Sequence, residues 1–306
     1  MYYKLLKLKF TKGVHFGNGS LEGAETAFNA DTFFSAMCIE ALSVNKEGAE
    51  LLVSMVRENK LLLSDAFPYK DSILYIPKPI MHIERKGNSG LSERKLIKKI
   101  RYVPLDDFDD YVAGCANLSS DEYAFEFGKY SVNTRAFVYS EETQPYRVVS
   151  FSFYDSCGLY IVAGFGDEAV EEYIDELVEG LSYSGIGGKR SSGYGRFEYY
   201  KSKIPDKMLQ RMEGEHSKYM SLSVSLPKNE ELGKSIENAE YLMIRRGGFV
   251  ASESYAKEFV KKRDIYAFKA GSCFGKRFEG DVFDVSVSGA HPVYRYLKPM
   301  FIGVNK

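Results

Sequence analysis

The residues of this 306-residue chain whose types and spacing best suit chemistry lie between Leu181 and Tyr199, in the run LSYSGIGGKRSSGYGRFEY. Five glycines (Gly185, Gly187, Gly188, Gly193, Gly195) alternate with Lys189, Arg190, Ser191, Ser192, Tyr194 and Arg196. Glycine costs a packed element conformational entropy, so such a cluster serves backbone access or positive φ angles. Exposed N–H groups, flanking cations and hydroxyls together suit close approach by a polyanion. A mobile hairpin loop is the plain alternative. The run fails as a P-loop, because Gly188-Lys189 is followed by Arg190 and no glycine stands five positions before Gly188. It also fails as a dinucleotide GxGxxG, which would need glycine where Arg190 stands. Ser192–Tyr199 follows the RNP1 pattern of RNA-binding sheets only in part: Gly193, Tyr194, Gly195 and Tyr199 fit, while Ser192, Arg196 and Phe197 do not.

Other turns carry similar residues. Lys12 and His15 sit in a glycine-bearing turn after the first ten residues, and Arg245-Arg246-Gly247-Gly248 forms a second glycine-plus-cation turn. Arg135 lies in YSVNTRAFVYS, where Asn133 and Thr134 are hydrogen-bond partners and small and aromatic neighbours could wedge against bases; an ordinary strand cation is the alternative. Catalysis is poorly served. The histidines His15, His82, His216 and His291 are dispersed, without HxxxH or HExxH. Only His15 resembles a general base for RNA cleavage, and a loop histidine bonded to backbone or phosphate is the favoured reading of it. Asp31, just before an apolar helical stretch, reads as an N-cap. Asp106, Asp107, Asp109 and Asp110 read as a solvated acidic loop rather than a metal site.

These residues need elements to hold them. Residues 1–10 alternate as a strand, and Phe33–Leu42 and Glu47–Glu58 have helical spacing. Residues 84–110 turn basic, then acidic, and look like an insertion over the surface. Lys129–Tyr139 and Tyr146–Phe153 form a hairpin, and Leu159–Phe165 is another strand. Asp167 caps an amphipathic helix in which Val170, Tyr173, Ile174, Leu177 and Val178 share a face. The glycine run follows directly, leading to a strand near residues 196–200. Lys201–Glu215 reads as a linker, and a second strand–helix–strand cycle begins at Met220. The organisation expected is two related α+β domains, 1–204 and 216–306, with the insertion near 84–125.

Composition bounds the partners. Forty-one basic residues stand against 42 acidic, a net charge of −1, so any nucleic acid must be held by a local basic surface rather than by bulk charge. Four widely spaced cysteines without a CxxC pair argue against structural zinc and suit a reducing cytosol. No run approaches the roughly 18 apolar residues of a membrane span, and the opening MYYKLLKLKF reads as a strand rather than a signal peptide. A cytoplasmic protein with no metal, no cofactor and no membrane contact is expected.

Taken in order, KGVHFGNGSLE, NADTFFSAMCIEAL, VNTRAFVYSEETQPYRVVSF and GIGGKRSSGYGRFE after an acidic helix resemble the RAMP superfamily of CRISPR effector subunits. The segments YLMIRRGGFVAS, AGSCFGKRFEG and HPVYRYLKPMFIGV narrow the likeness to the family of fourth subunits of the type III-A (Csm) complex. The likeness covers nearly the whole chain except the region near 84–125. It implies two ferredoxin-like (RRM-like) domains packed side by side and a non-catalytic role, gripping the 5′ repeat-derived tag of crRNA. It also implies contact with the large polymerase/nuclease subunit on one side and the adjacent backbone RAMP subunit on the other. Carried over by position, Lys12, His15, Arg135, Gly187, Gly188, Lys189, Arg190, Ser191, Ser192, Gly193, Tyr194 and Arg196, with Arg245, Arg246 and Gly248, would line the tag. The alternative is a metal-independent endoribonuclease processing repeat RNA, with His15 as its base.

Overall fold

The structure, a computed structural model, describes all residues except 18, 85–90, 140–141, 252–254, 256–257, 259 and 306, and excludes the side chains of 91–94, 137–139 and 142–143. Arg85 and Lys86, the side chain of Arg94 and the tip of the 129–153 hairpin therefore lie outside the described residues. The chain opens with β1 (Tyr2–Phe10), the short pair β2 (Phe16–Gly17) and β3 (Ala24–Glu25), then α1 (Ala30–Val44) and α2 (Gly48–Arg57). There follow β4 (Leu61–Leu63), β5 (Phe67–Lys70), β6 (Ile73–Pro77), α3 (Leu91–Lys99), β7 (Tyr102–Pro104), α4 (Phe108–Val112) and α5 (Asp121–Ala124). A long hairpin, β8 (Gly128–Tyr139) and β9 (Glu142–Phe153), precedes β10 (Cys157–Phe165), α6 (Glu168–Ser184) and β11 (Phe197–Lys203). The second half contains α7 (Asp206–Met212), β12 (Lys218–Ser221), α8 (Asn229–Ser235), β13 (Met243–Arg246), β14 (Ile265–Phe268), β15 (Cys273–Phe274), β16 (Val282–Asp284), β17 (Tyr294–Tyr296) and β18 (Phe301–Val304).

The main sheet runs β11-β1-β10-β5-β6-β7, with β4 also paired to β10, and every pairing is antiparallel. Register puts Leu6 opposite Ile161 and Leu8 opposite Leu159. Strand alternation then divides the side chains. Leu6, Leu8, Phe10, Leu159 and Ile161 join a core beneath α1, α2 and α6, whereas Leu5, Tyr160 and Val162 join a second core with Met220, Leu222 and Met208. Both faces of β10 are therefore covered, which explains why CGLYIVAGF reads as a continuous apolar run.

In the second half β12 pairs with β15 and β18, and Glu240 bridges Cys273, so the order is β18-β12-β15 with residue 240 at the edge. The ribbons β13–β14 and β16–β17 flank it. Between β15 and β18 lies the β16–β17 ribbon and no helix. The second cycle, expected to open with a strand from Met220, does so only briefly, because the ladder ends at Ser221. The buried Ser221 and Ser223 hydroxyls bond nearby backbone instead: Ser221 donates to the Ser223 carbonyl, and Ser223 donates to Lys298 O and accepts from Met300 N.

Two other expectations change. Residues 84–110 do not only lie over the surface: Ile100, Val103, Leu105 and Phe108 are buried, and β7 extends the main sheet. Lys201–Glu215 is no linker, because β11 continues through Lys203 and α7 buries Met208 and Met212.

Candidate nucleic-acid interface

Helix α6 delivers the glycine loop. Asp167 caps its start, accepting from Val170 N at 3.0 Å, and Gly185 at its end bonds Leu181 O through its own N–H. The loop then folds back on the turn after β1: Gly188 N donates to His15 O at 2.8 Å, Gly195 N to Gly13 O at 3.0 Å, and Thr11 N to Arg196 O at 3.1 Å. A Cβ on Gly187 (φ 100°) would stand 2.8 Å from His15 O, and one on Gly195 (φ 77°) would collide with the Ile186 carbonyl. These glycines serve the chain's own close approach. Gly193 differs, with a positive φ of 81° and open space around it. The N–H groups of Gly188, Ser192, Gly193 and Gly195 all donate to carbonyls of the chain. Much of the backbone donor set expected to meet a polyanion thus faces inward, and the side chains carry the chemistry.

The β8–β9 hairpin leans on one side of the loop. Arg135 Nη1 donates to Ser192 Oγ at 2.8 Å, its guanidinium lies 5.3 Å from the Tyr194 ring centre, and Asn133 Nδ2 reaches Tyr194 Oη at 3.4 Å. Lys189 Nζ sits 4.9 Å from the Tyr146 ring centre. Between hairpin and loop lies a cleft of about 360 Å³ whose lining includes Lys12, Asn133, Arg135, Ser152, Ser192 and Tyr194, and no carboxylate. Tyr199, the other aromatic of the partial RNP1 pattern, lies on β11 and donates to Asp175 at 2.6 Å, so the two do not form a stacking pair.

A larger groove, about 1820 Å³, opens on the loop's other side between the two halves. His15, Gly187, Gly188, Lys189 and Arg190 line it together with Arg245, Arg246 and Gly248. Ser191 and Arg196 are exposed on the loop and line neither cavity. The sequence-predicted residues thus gather around one loop, but their environments differ. His15 is buried, and its Nδ1 donates to Val149 O at 2.7 Å, tying the turn to β9. Arg245 lies 3.7 Å from Asp264. Arg246 is committed to Asp31 through Nε and Nη2 at 2.9 and 2.8 Å. By contrast, Lys12, Arg135, Lys189, Arg190 and Arg196 form no salt bridge among the described residues.

Sequence reasoning missed the groove floor. Asp31 is not the N-cap of α1. That place belongs to Asn29, and the first helical N–H, on Ala30, is taken by Asp65 at 2.7 Å. Asp31 is instead buried against Arg246 and Arg295, the latter also donating to Gly247 O at 3.1 Å. Burial pushes the Asp31 carboxyl up, but the Arg246 and Arg295 guanidiniums outweigh it and hold the group below its ordinary value. At Asp65 burial prevails and pushes the carboxyl up to about 6, against the opposing N–H bonds from Ala30, Val224 and Asn29. Only sequence-distant pairings reveal Arg295 and Lys262, which also line the groove. Among the described residues no three His, Cys, Asp or Glu side chains are grouped to hold a metal, and no helix is long and apolar enough to cross a membrane. In the acidic run, Asp109 is occupied by Arg211 and Lys207.

An antiparallel α+β sheet whose loops ring a carboxylate-free cleft has close structural relatives among type III CRISPR effector subunits. The chain superposes with a TM-score of 0.67 at 19% identity on a chain of a crystal structure of the Csm3-Csm4 subcomplex in the type III-A interference complex, covering 99% of this chain and 100% of that one. A Csm1-Csm4 cassette in complex with pppApA gives 0.63 at 17%, covering 100% and 98%. Residues 214–304 match the family model of the CRISPR Csm4 C-terminal domain. Along its length the chain is 34% identical to the CRISPR system Cms protein Csm4 of Mycobacterium tuberculosis, over 99% of this chain and 98% of the relative. It is also 34% identical to the Csm4 of Streptococcus thermophilus, over 98% of each. The chain belongs to the Csm4 family.

Proposed function

We propose that this chain is the crRNA-binding subunit of a type III-A interference complex, holding the 5′ repeat-derived tag against the glycine loop. One observation carries the reading: Lys12, Arg135, Lys189, Arg190 and Arg196 converge on one loop with no carboxylate partner among the described residues. Like charges held together without counter-ions repel, and a phosphate backbone supplies the missing charge. Tyr194 and the exposed Tyr130 and Val132 of the hairpin add apolar surface for unstacked bases. Lys12 to Tyr194 line the cleft, and Lys189 and Arg190 face the groove, so a single strand crossing the loop meets cations on both sides.

The role is holding, not cutting. His15 is buried under the loop with one ring nitrogen committed to Val149, which suits support of the phosphate-facing turn better than proton transfer. The solved relatives pair a Csm4 chain with Csm3 in one case and Csm1 in another, which supports a bridge between the large polymerase/nuclease subunit and the adjacent backbone subunit. Each half reads as a ferredoxin-like unit. The order β11-β1-β10-β4/β5, with α1 and α6 between, has the split βαβ plan, and the second half varies it by placing the β16–β17 ribbon where a second helix would run. The test is to co-express the chain with the other complex subunits, crosslink, and map both RNA ends and crosslinked residues. The expected result is guide RNA with a common 5′ tag crosslinked within residues 187–196. A complex free of RNA, or crosslinks confined to other subunits, overturns the reading.

A further inference from the structure

The floor of the groove holds an imbalance of charge that the fold alone does not explain. Arg246, Arg295 and Lys262 gather around Asp31, with the buried Asp65 near enough to act on Arg246. Asp31 engages both guanidiniums and leaves Lys262 without a hydrogen-bond or ion-pair partner among the described residues. Arg295 is only 6% exposed, and its Nε has no hydrogen-bond partner among the described residues. An excess of positive charge and an orphaned donor in a partly desolvated place are costly unless an anion arrives. The groups facing Lys262 are Asp31, Arg295, Arg246 and the Cys38 thiol, and its backbone N–H is already spent on Gly248 O at 2.8 Å.

We propose that this floor is an anion site in which Lys262, with Arg246 and Arg295, holds one phosphodiester of the RNA that the glycine loop grips. The proposal rests on the RNA-binding reading and deepens it. It places a contact in the second half of the chain, on residues that carry no glycine-loop signature. Burial lowers the Lys262 ammonium from its ordinary value, and the Arg295 charge adds to this, so a phosphate would restore the proton's hold. A carboxylate from a protein partner has the same charge, but the site lines the same groove as Lys189 and Arg190, and a continuous strand reaches both.

The test uses the full chain. Lysines are acetylated with an N-hydroxysuccinimide ester, with and without a short single-stranded RNA, and read residue by residue by mass spectrometry. Lys262 should react in the free protein and be protected by RNA in proportion to occupancy, but not by an oligonucleotide with a neutral methylphosphonate backbone. Lys262→Met should lower the log–log salt slope of RNA binding by about 0.7, the share of one single-strand phosphate. Protection of Lys189 with none at Lys262 overturns this proposal alone. Equal protection by the neutral oligonucleotide, or protection only by a purified partner subunit, overturns it in favour of steric cover or a protein carboxylate. Absence of RNA binding at every lysine overturns the wider reading too.

Discussion

Replacing Lys12, Arg135, Lys189 and Arg190 together by alanine separates a charged RNA surface from a merely exposed loop. None of the four forms a salt bridge among the described residues, so each is available for one phosphate. Each lost single-strand phosphate contact removes about 0.7 from the log–log salt slope, so four remove about 2.8. Between 50 and 200 mM salt the wild type should then lose roughly fifty-fold more affinity for tag RNA than the variant. Fluorescence anisotropy with a labelled tag oligonucleotide across that range reads the slope directly. Stability should stay within about 0.5 kcal/mol, since the side chains bury little and the Arg135–Ser192 bond is exposed. Lys203→Ala is the control for loss of a surface charge away from the loop: its side chain is 82% exposed and it pairs with Asp206 at 3.4 Å. A quadruple variant with an unchanged slope refutes the reasoning, whatever happens to affinity at one salt concentration.

Gly193→Ala and Gly195→Ala form a pair. Both need a positive φ costing about 1–2 kcal/mol, but only the second also drives a Cβ into the Ile186 carbonyl, so urea unfolding should show Gly195→Ala as clearly the more destabilised. Asp31→Asn should cost about 3–5 kcal/mol, because Arg246 and Arg295 would lose the carboxylate they pair with; a loss below 1 kcal/mol in urea titration would sink that account. For Asp65 the folded carboxyl titrates higher than the unfolded one. Its stabilising contribution is complete below 3.8 and is lost as pH rises to about 6. Asp65→Asn should therefore be more stable than wild type at pH 7 and converge with it near pH 4, a trend readable from urea midpoints across that range. Purified protein incubated with labelled repeat RNA in EDTA should yield no cleavage product; cleavage abolished by His15→Ala would restore the endoribonuclease reading.

Parts of this fold were legible because one face of an element told the truth about the other. Val170, Ile174, Leu177 and Val178 are all buried beneath α6, and Asp167 caps it as its position suggests. Misreadings have physical causes. The charges of residues 84–110 drew attention from Ile100, Val103 and Phe108, which lie under the main sheet's second face. Met208 and Met212 stand one helical turn apart in a segment whose polar residues suggested a linker. The glycine loop was found by composition, yet the reason for Gly187 and Gly188 is the His15 turn pressing against them, a contact across more than 170 residues of chain. Asp31, beside Asn29 and Thr32, had the sequence of a cap; only the fold brings Arg246 and Arg295 to it.

The near-zero net charge now has a structural account. Cations and carboxylates are sorted by place rather than reduced in number. On the flank of α6, Glu171 and Asp175 both take Lys201, and at the far side of the second half Glu279 takes Lys228 and lies 3.6 Å from Lys298. Around the loop the pairing stops among the described residues: Lys12, Arg135, Lys189, Arg190 and Arg196 have no carboxylate partner. The two halves are also not independent supports for that surface. Asp65 accepts from Ala30 and from Val224, Tyr296 Oη accepts from Leu63 N, and Asp31 reaches two arginines of the second half. The groove therefore keeps its width only while both halves are joined at the start of α1. The same buried carboxylate that fixes the junction also fixes Arg246 at the groove wall, so the placement of that cation and the association of the halves are a single electrostatic event.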